Sequence, residues 1–484
     1  MTQTVDHVAL LPLYAAAGTA VAVLILDLAF ARRTPVLLVA VLGSAATVAA
    51  AVAQGERSTF CVPGACSWAG GPIATLTAVV FAVLTVGVLA LSTPMLRAGI
   101  APAGEYCFLL ASSMTGGVVV GYAGDLITLV VGLETLTLPL YVLVGLRRFA
   151  PGERVTTAGA EAAVTFFVVS VVSTAVALLG AALVFAATGN LHLDTMVFAG
   201  PLTPLASVGS TLIVTGFAFK VAAVPLHAWA PATYDGAPLP VAAYLSTASK
   251  LGGVVALIAV VDGVLPAERI GPLLAVLAVL TMTVGNLVAL RQRRTVRLLA
   301  WSSVAQAGYI LAPLGVAAVA AGRAPQAWST AVTAALAYAV FFVVLELAAF
   351  AAVVALRRPG ADGGTLAELR GAARRSPLAG AVLALALAGL AGLPPGLAGL
   401  FAKVGVIRAL LGGGAGWIAA FVALNTVIAL AYYVRVAAAL YAPSAETGRA
   451  ARAPWPVLVT LAAVAAVAVA LGLAPELVLG VTTR

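Results

Sequence analysis

Apolar residues in this chain come in long blocks, and polar residues gather in the short connections between them. Fourteen blocks stand out, near Val8–Phe30, Val36–Val52, Pro72–Met95, Tyr106–Tyr122, Leu126–Val144, Ala158–Thr188, Leu202–Leu226, Val241–Val261, Pro272–Leu290, Leu298–Val319, Trp328–Leu356, Leu378–Leu411, Trp417–Tyr441 and Trp455–Leu479. About 17 to 25 apolar residues of helix cross a bilayer, so each block predicts a span. The expected fold class is an all-α polytopic membrane protein of about 14 transmembrane helices.

Three blocks contain helix breakers. Pro225 and Pro231 follow Lys220, and Pro139 follows Glu134. Pro394, Pro395, Gly396 and Gly399 precede Lys403, in a block too long for one straight crossing. Proline removes a backbone donor and clashes with the preceding turn, which predicts broken helices 7 and 12 and an interruption near Pro139. Two broken, lysine-bearing spans five spans apart are the pattern that two inverted five-helix repeats of a transporter fold would leave. The chain then divides into N-terminal helices 1–3 (residues 1–105), a first repeat of helices 4–8 (106–265), a second, inverted repeat of helices 9–13 (266–441) and a C-terminal helix 14 (442–484).

Composition narrows the class further. With 484 residues, 63% hydrophobic and 9% charged, the chain cannot be read as a set of soluble domains. A net charge of +9 would point to nucleic acid in a soluble protein, but here the placement of arginine explains it and no nucleic-acid partner is expected. If the N-terminus lies outside, the inward loops hold Arg32, Arg33, Arg97, Arg147, Arg148, Arg154, Arg291, Arg293, Arg294, Arg297, Arg357, Arg358, Arg370, Arg374, Arg375, Arg449 and Arg452. The outward side holds only Arg57, Arg269, Arg323, Arg408 and Arg484. Arginine and lysine concentrate in cytoplasmic loops, so both termini are expected on the outer side of a cell membrane. No basic segment precedes the first apolar block, so no secretory signal is expected.

Candidate chemistry lies in charges inside the apolar blocks. The chain has three lysines, Lys220, Lys250 and Lys403, and each sits within an apolar run. A lysine in hydrocarbon costs about 2.5–3.5 kcal/mol on the insertion scale, which makes it a functional candidate by default. Lysine also suits proton handling, because a buried ammonium can release its proton near neutral pH and a guanidinium cannot. Glu134, near the middle of the fifth span, can pair with Lys220; moving the acid away would then release a proton from the lysine. The alternative for Glu134 is a neutral carboxyl bonded to a neighbouring helix.

His227 is seven residues after Lys220 and shares its helix face unless Pro225 breaks the register. It is either a packing histidine or a group that passes protons. Lys250 has Ser246, Thr247 and Ser249 beside it, which can hold water. Glu346 is a further intramembrane carboxylate in the eleventh span, while Asp27 and Glu161 lie nearer span ends. Asp27 is expected to pair with Arg32 or Arg33, and Arg435 to snorkel inward. Tyr309, Gln306, Asn286 and Asn425 can line a hydrated path or join helices to one another. Cys61 and Cys66 fall in an outward loop, where Pro63 and Gly64 supply a turn and a disulfide can persist. Cys107 reads as a small apolar filler. No cysteine cluster spaced for iron-sulfur and no phosphate-cradling glycine loop is present, so no cofactor or metal is expected in this chain.

Several stretches together resemble a known family. FKVAAVPLHAWAPATYDGAP, Lys250 in TASK, GNLVALRQRRTVRLLAWSSVAQAGYIL, GLPPGLAGLFAKVGVIRALL and NTVIALAYYVRVAAALY are similar to the subunit N family of the bacterial proton-pumping NADH-quinone oxidoreductase, respiratory complex I. The likeness runs from roughly Tyr106 to Tyr441, and the motifs are specific in combination; each alone marks only the wider antiporter-like superfamily. The resemblance implies Glu134 and Lys220 as a coupled ion pair, Lys250 as a central relay, Lys403 as the terminal lysine on broken helix 12 and His227 on the water path. It implies proton translocation driven by quinone reduction elsewhere, with the other membrane subunits of the complex as partners and its peripheral arm as an indirect one. NAD, FMN, iron-sulfur clusters and quinone would then be bound by partner subunits. Two positions depart from the pattern: Thr165 stands where many relatives have lysine, and Gln306 where others often carry histidine.

The competing reading is a subunit of an Mrp-type cation/proton antiporter, which shares the lysines and broken helices. A subunit L identity is disfavoured because a long lateral helix would follow the core, and subunit M because glutamate usually stands at the position of Lys403. A purely structural subunit would lack the buried charges.

Overall fold

The architecture follows the blocks. A computed structural model describes residues 5–30, 32–146, 153–196, 203–263, 265, 267–357, 361, 363–443 and 453–482, with backbone alone for 153–156. Arg147, Arg148, Arg358, Arg449, Arg452 and Arg484, and the Arg154 side chain, lie outside the described residues.

Helices α1 (Leu11–Phe30), α2 (Arg33–Gln54), α3 (Pro72–Arg97), α4 (Ala103–Tyr122), α5 (Leu126–Gly145) and α6 (Glu153–Thr188) account for the first six blocks. The hairpin β1 (Thr59–Val62) and β2 (Ala65–Trp68) joins α2 to α3. The seventh block is α7 (Pro204–Lys220) followed, after a non-helical stretch, by the short α8 (Trp229–Gly236). The eighth comprises α9 (Leu239–Tyr244), a π-helical turn (Leu245–Ser249) and α10 (Lys250–Gly263). Helices α11 (Ala267–Ala289), α12 (Thr295–Leu311) and α13 (Pro325–Leu356) follow. A surface turn, α14 (Ala372–Arg375), leads to the twelfth block, divided into α15 (Pro377–Ala391) and α16 (Leu397–Gly412). Helices α17 (Gly416–Tyr441), α18 (Trp455–Leu473) and the short α19 (Glu476–Thr482) close the chain. Eleven of these segments are long and apolar enough to cross a membrane, and α7 and α15 are shorter apolar helices. This is a helical, multi-pass membrane fold with one short hairpin.

Burial separates interior from periphery. The span Leu239–Asp262 is 94% buried and Pro325–Leu356 is 78% buried, against 22% for Leu11–Phe30. The lysine of the eighth span and the glutamate of the eleventh are therefore on the two most enclosed of the eleven long apolar segments. Outward faces carry exposed Val164, Phe167, Val168 and Val172 on α6, apolar surface that suits lipid. Helices α6 and α7 pack closely through glycines: a Cβ added to Gly180 would lie 2.7 Å from the Gly209 carbonyl oxygen, and one on Gly209 2.9 Å from that of Gly180. Small residues let membrane helices approach to backbone contact.

Helices 7 and 12 are broken as expected, and two other expectations need correction. Pro139 lies within an unbroken α5. Intramembrane proline is tolerated where neighbours supply hydrogen bonds, and Ser113 of α4 donates to the Leu136 carbonyl of the same turn at 2.7 Å. Arg33 donates to the Leu96 and Arg97 carbonyls at 3.1 and 2.8 Å, capping α3, and Asp27 instead packs on Gly104. Arg435 is exposed and reaches toward the arginine-rich loop assigned to the inner side, as expected, donating to the carbonyls of Leu290 and Gln292 at 2.6 and 2.9 Å, where α11 ends. A cation at a helix C-terminus complements the helix dipole.

Candidate functional site

The first cluster is assembled by α5, α6 and α7. The Asp125 carboxylate starts α5 by accepting from the Thr128 N–H at 2.7 Å, and the Thr203 hydroxyl starts α7 by accepting from the Ala206 N–H at 3.2 Å. Nine residues into α5, Glu134 meets Lys220 at the last residue of α7. The Lys220 ammonium donates to Glu134 Oε1 at 2.7 Å, to Ser170 Oγ at 2.9 Å and to Thr137 Oγ1 at 3.3 Å. Thr174 donates to the same Glu134 oxygen at 2.5 Å, and Tyr141 to Ser170 at 2.6 Å. All three ammonium donors are thus engaged, and one of the acceptors carries formal charge. Lys220 is 5% exposed and Glu134 25%, so the acid has the more open environment of the two. A narrow cleft bordered by Val130, Leu133, Thr174, Ala177 and Phe217 lies against the pair.

Lys250 lies deeper. It follows the π-helical turn, a feature that often marks functional positions in membrane and soluble helices. Its ammonium donates to the Ser303 carbonyl at 2.5 Å and to Ser303 Oγ at 2.7 Å, and sits 5.6 Å from the centre of the Phe342 ring. The neighbouring hydroxyls do not face it: Ser246 and Thr247 donate to the Ala243 carbonyl of their own helix. The fully buried Glu346 carboxyl on α13 has no hydrogen-bond partner.

Lys403 lies where the twelfth helix divides. Its ammonium donates to the Leu390 and Ala391 carbonyls at 3.0 and 2.9 Å, the free carbonyl end of α15, and lies 4.8 Å from the Tyr309 ring centre. The negative pole of a half-helix and an aromatic face are both suited to a cation. Gly392, at φ +81°, makes the turn beside it; a Cβ there would lie 2.8 Å from Lys403 Cδ.

Hydrogen bonds run from the Lys403 site to the residue next to Ser303. Gln306 donates to the Leu390 carbonyl that Lys403 also uses and to the Tyr433 hydroxyl, each at 3.1 Å, and accepts from Tyr338 at 2.6 Å. Tyr433 in turn meets Ser302 at 2.5 Å, next to the Ser303 that holds Lys250. Behind Tyr309, Asn286 donates to its hydroxyl at 3.0 Å and to Asn425 Oδ1 at 3.2 Å, and accepts from Tyr432 at 3.0 Å. Gln306, Tyr309, Asn286 and Asn425 therefore join α11, α12, α13, α15 and α17 to one another.

The remaining candidates are set apart. Because α7 ends at Lys220, His227 does not share a helical face with it; its ring packs on Trp301 with centroids 5.0 Å apart, and its Nδ1 is buried without a hydrogen-bond partner. Cys61 and Cys66 are cross-strand neighbours in the hairpin and form a disulfide far in sequence from the lysines. Cys107 is buried and free. Among the described residues, no three His, Cys, Asp or Glu side chains converge to hold a metal. Ser170, Thr174, Ser303, Tyr338 and Tyr433 were not legible as site residues. Hydroxyls four apart on α6, Ser170 and Thr174, were the available signal, since that spacing shares a helix face.

The chain resembles known proteins over its whole length. Residues 123–429 match the family described as NADH:quinone oxidoreductase/Mrp antiporter, TM. NADH-quinone oxidoreductase subunit N of Salinispora tropica is 62% identical, with all of both chains covered. A chain of respiratory complex I from Thermus thermophilus with bound Aureothin superposes with a TM-score of 0.79 at 28% identity, covering 97% of this chain and 98% of that one. A chain of the Mrp complex from Dietzia sp. reaches 0.85 at 22% identity, covering 99% and 96%. The higher score with lower identity shows that the fold is common to both assemblies, so sequence decides between them.

Proposed function

The chain belongs to the subunit N family of NADH-quinone oxidoreductase, the antiporter-like membrane subunits of respiratory complex I, and from that premise we propose that Glu134, Lys220, Lys250 and Lys403 carry protons through it. It is a multi-pass membrane subunit of a translocase, and its partners are other subunits of that complex. The observation that carries the residue assignment is the contact ion pair of Lys220 and Glu134 at 2.7 Å inside the bundle. A buried charge is tolerated when paired, and separating the pair would free the proton on the lysine. The second support is that Ser303, which holds Lys250, is the chain neighbour of Ser302, from which hydrogen bonds run through Tyr433 and Gln306 to the carbonyl shared with Lys403.

We further place both termini on the outer side, from the loop arginines, and divide the chain into helices 1–3, two repeats meeting near residue 266, and helix 14. His227, beside the break in helix 7, supplies the inner approach to the relay. The peripheral arm, with NADH, FMN, iron-sulfur clusters and quinone bound in partner subunits, supplies the driving reaction. The test is proton pumping by assembled complex carrying Lys403→Ala or Glu134→Ala. Quinone reduction with pumping lost is expected; normal quinone-coupled pumping in both variants would show the assignment to be wrong.

A further inference from the structure

We propose that Glu346 is a second proton-exchange site of this subunit, partnered with Lys250, so that the central lysine has an acid of its own contributed by α13. The inference rests on the relay reading above and adds a residue to it.

Lys250 has three ammonium donors, and Ser303 accepts through two atoms, its carbonyl and its hydroxyl. The ammonium also lies 5.6 Å from the centre of the Phe342 ring. Phe342 and Glu346 are four residues apart within the unbroken α13, so they share a face with Cβ atoms about 5–6 Å apart. That geometry brings the carboxyl within one helical turn of the ring against which the ammonium lies. Both Glu346 oxygens are buried without a hydrogen-bond partner, and among the described residues Glu346 is the one carboxylate of which that is so. The groups within electrostatic reach are Lys250, Tyr234 of α8 and Tyr433 of α17. Lys250 is the one cation among them.

A buried polar group that no donor satisfies is retained at a cost, and an acid facing a lysine in the interior of a membrane protein marks a proton pathway more often than a packing contact. The exchange balances without any further reactant. An N–H bond of the Lys250 ammonium breaks, an O–H bond forms at Glu346, and a charged pair becomes a neutral pair; the reverse step restores it. Water between the two groups carries the proton across a gap too wide for direct contact. Because neither charge is stable there alone, the two groups charge and discharge together. Tyr433 lies within electrostatic reach of Glu346 and also bonds Ser302 and Gln306, which places the acid beside the line toward Lys403.

The test uses assembled complex in vesicles carrying Glu346→Gln, Glu346→Asp or Lys403→Ala, with protons moved per NADH and a turnover-induced infrared difference spectrum as readouts. For Glu346→Gln we expect pumping to fall sharply, since losing a proton-transfer group slows its step by roughly 10²-fold or more. We also expect loss of a deuterium-sensitive carboxylic-acid band, with partial recovery of both in Glu346→Asp. Wild-type pumping in Glu346→Gln, alongside lost pumping in Lys403→Ala, would overturn this inference and leave the relay standing. Reduced pumping with an unchanged carboxylic-acid band would mark a packing role and overturn it as well. Normal pumping in every variant would remove the relay and Glu346 with it.

Discussion

Lys220 and Lys403 occupy corresponding breaks in helices 7 and 12, yet they are held by different chemistry. Lys220 rests on a carboxylate and two hydroxyls. Lys403 rests on two backbone carbonyls at the end of a half-helix and on an aromatic ring, with no acid in contact. Formal charge compensates the first ammonium; dipoles compensate the second. The first can be switched by moving one side chain, whereas the second is fixed to the backbone and can respond only to charge arriving from elsewhere. The hydrogen bonds from Ser302 through Tyr433 and Gln306 end at the Leu390 carbonyl that Lys403 also uses.

Mutations that separate these two modes should differ in size. Glu134→Ala leaves an uncompensated buried ammonium, and breaking a buried pair costs about 3–5 kcal/mol, toward the lower figure here because Glu134 is partly exposed. Thermal unfolding of the purified complex should show the loss, and Glu134→Ala combined with Lys220→Met should recover part of it. Additive losses in the double variant would contradict a coupled pair. Lys403→Met removes the charge together with the need to compensate it, so its stability cost should be nearer about 1–2 kcal/mol, mainly from the Ala391 carbonyl that loses its donor, although pumping is expected to stop. A cost equal to that of Glu134→Ala would mean that Lys403 has a charged partner after all.

Gly392→Ala should act on the second site alone. The residue sits at φ +81° and a methyl group would press on Lys403 Cδ at 2.8 Å. A left-handed conformation costs an L-residue about 1–2 kcal/mol. Slower pumping with wild-type complex assembly is the expected outcome, and unchanged pumping would show that the Lys403 position is not critical. The smallest effect belongs outside the membrane. The Arg357 guanidinium beside Glu368 holds that carboxyl below its ordinary range, with Thr365 adding hydrogen bonds. A depressed carboxylate stabilises above its ordinary titration range and loses that contribution as pH falls through its folded value. Glu368→Gln should therefore weaken the 363–371 loop at neutral pH by no more than about 0.5 kcal/mol, given its exposure, and leave it unchanged in acid. Hydrogen exchange across that loop at both pH values reads the difference.

Much of this arrangement was legible in the sequence because charge inside an apolar block is expensive. The three lysines, Glu134 and Glu346 were identifiable from that alone, and proline pairs identified both broken helices. What escaped was whatever depends on a neighbour. Pro139 looked like Pro225 in sequence, but Ser113 on another helix supports its turn, so α5 continues. The acceptors of Lys403 are backbone carbonyls, which have no residue signature at all. Asp27 had two arginines close in sequence, yet the free carbonyls at the end of α3 took Arg33. The Ser303 and Tyr433 contacts needed α12 and α17 to be adjacent, a fact of packing rather than of composition.

The most direct measurement is the number of protons moved per NADH oxidised by reconstituted complex carrying Lys250→Met, the lysine between the two modes. A reduced ratio with NADH still oxidised is expected if Lys250 is a relay group as proposed. A wild-type ratio at a wild-type oxidation rate would contradict a buried-lysine relay.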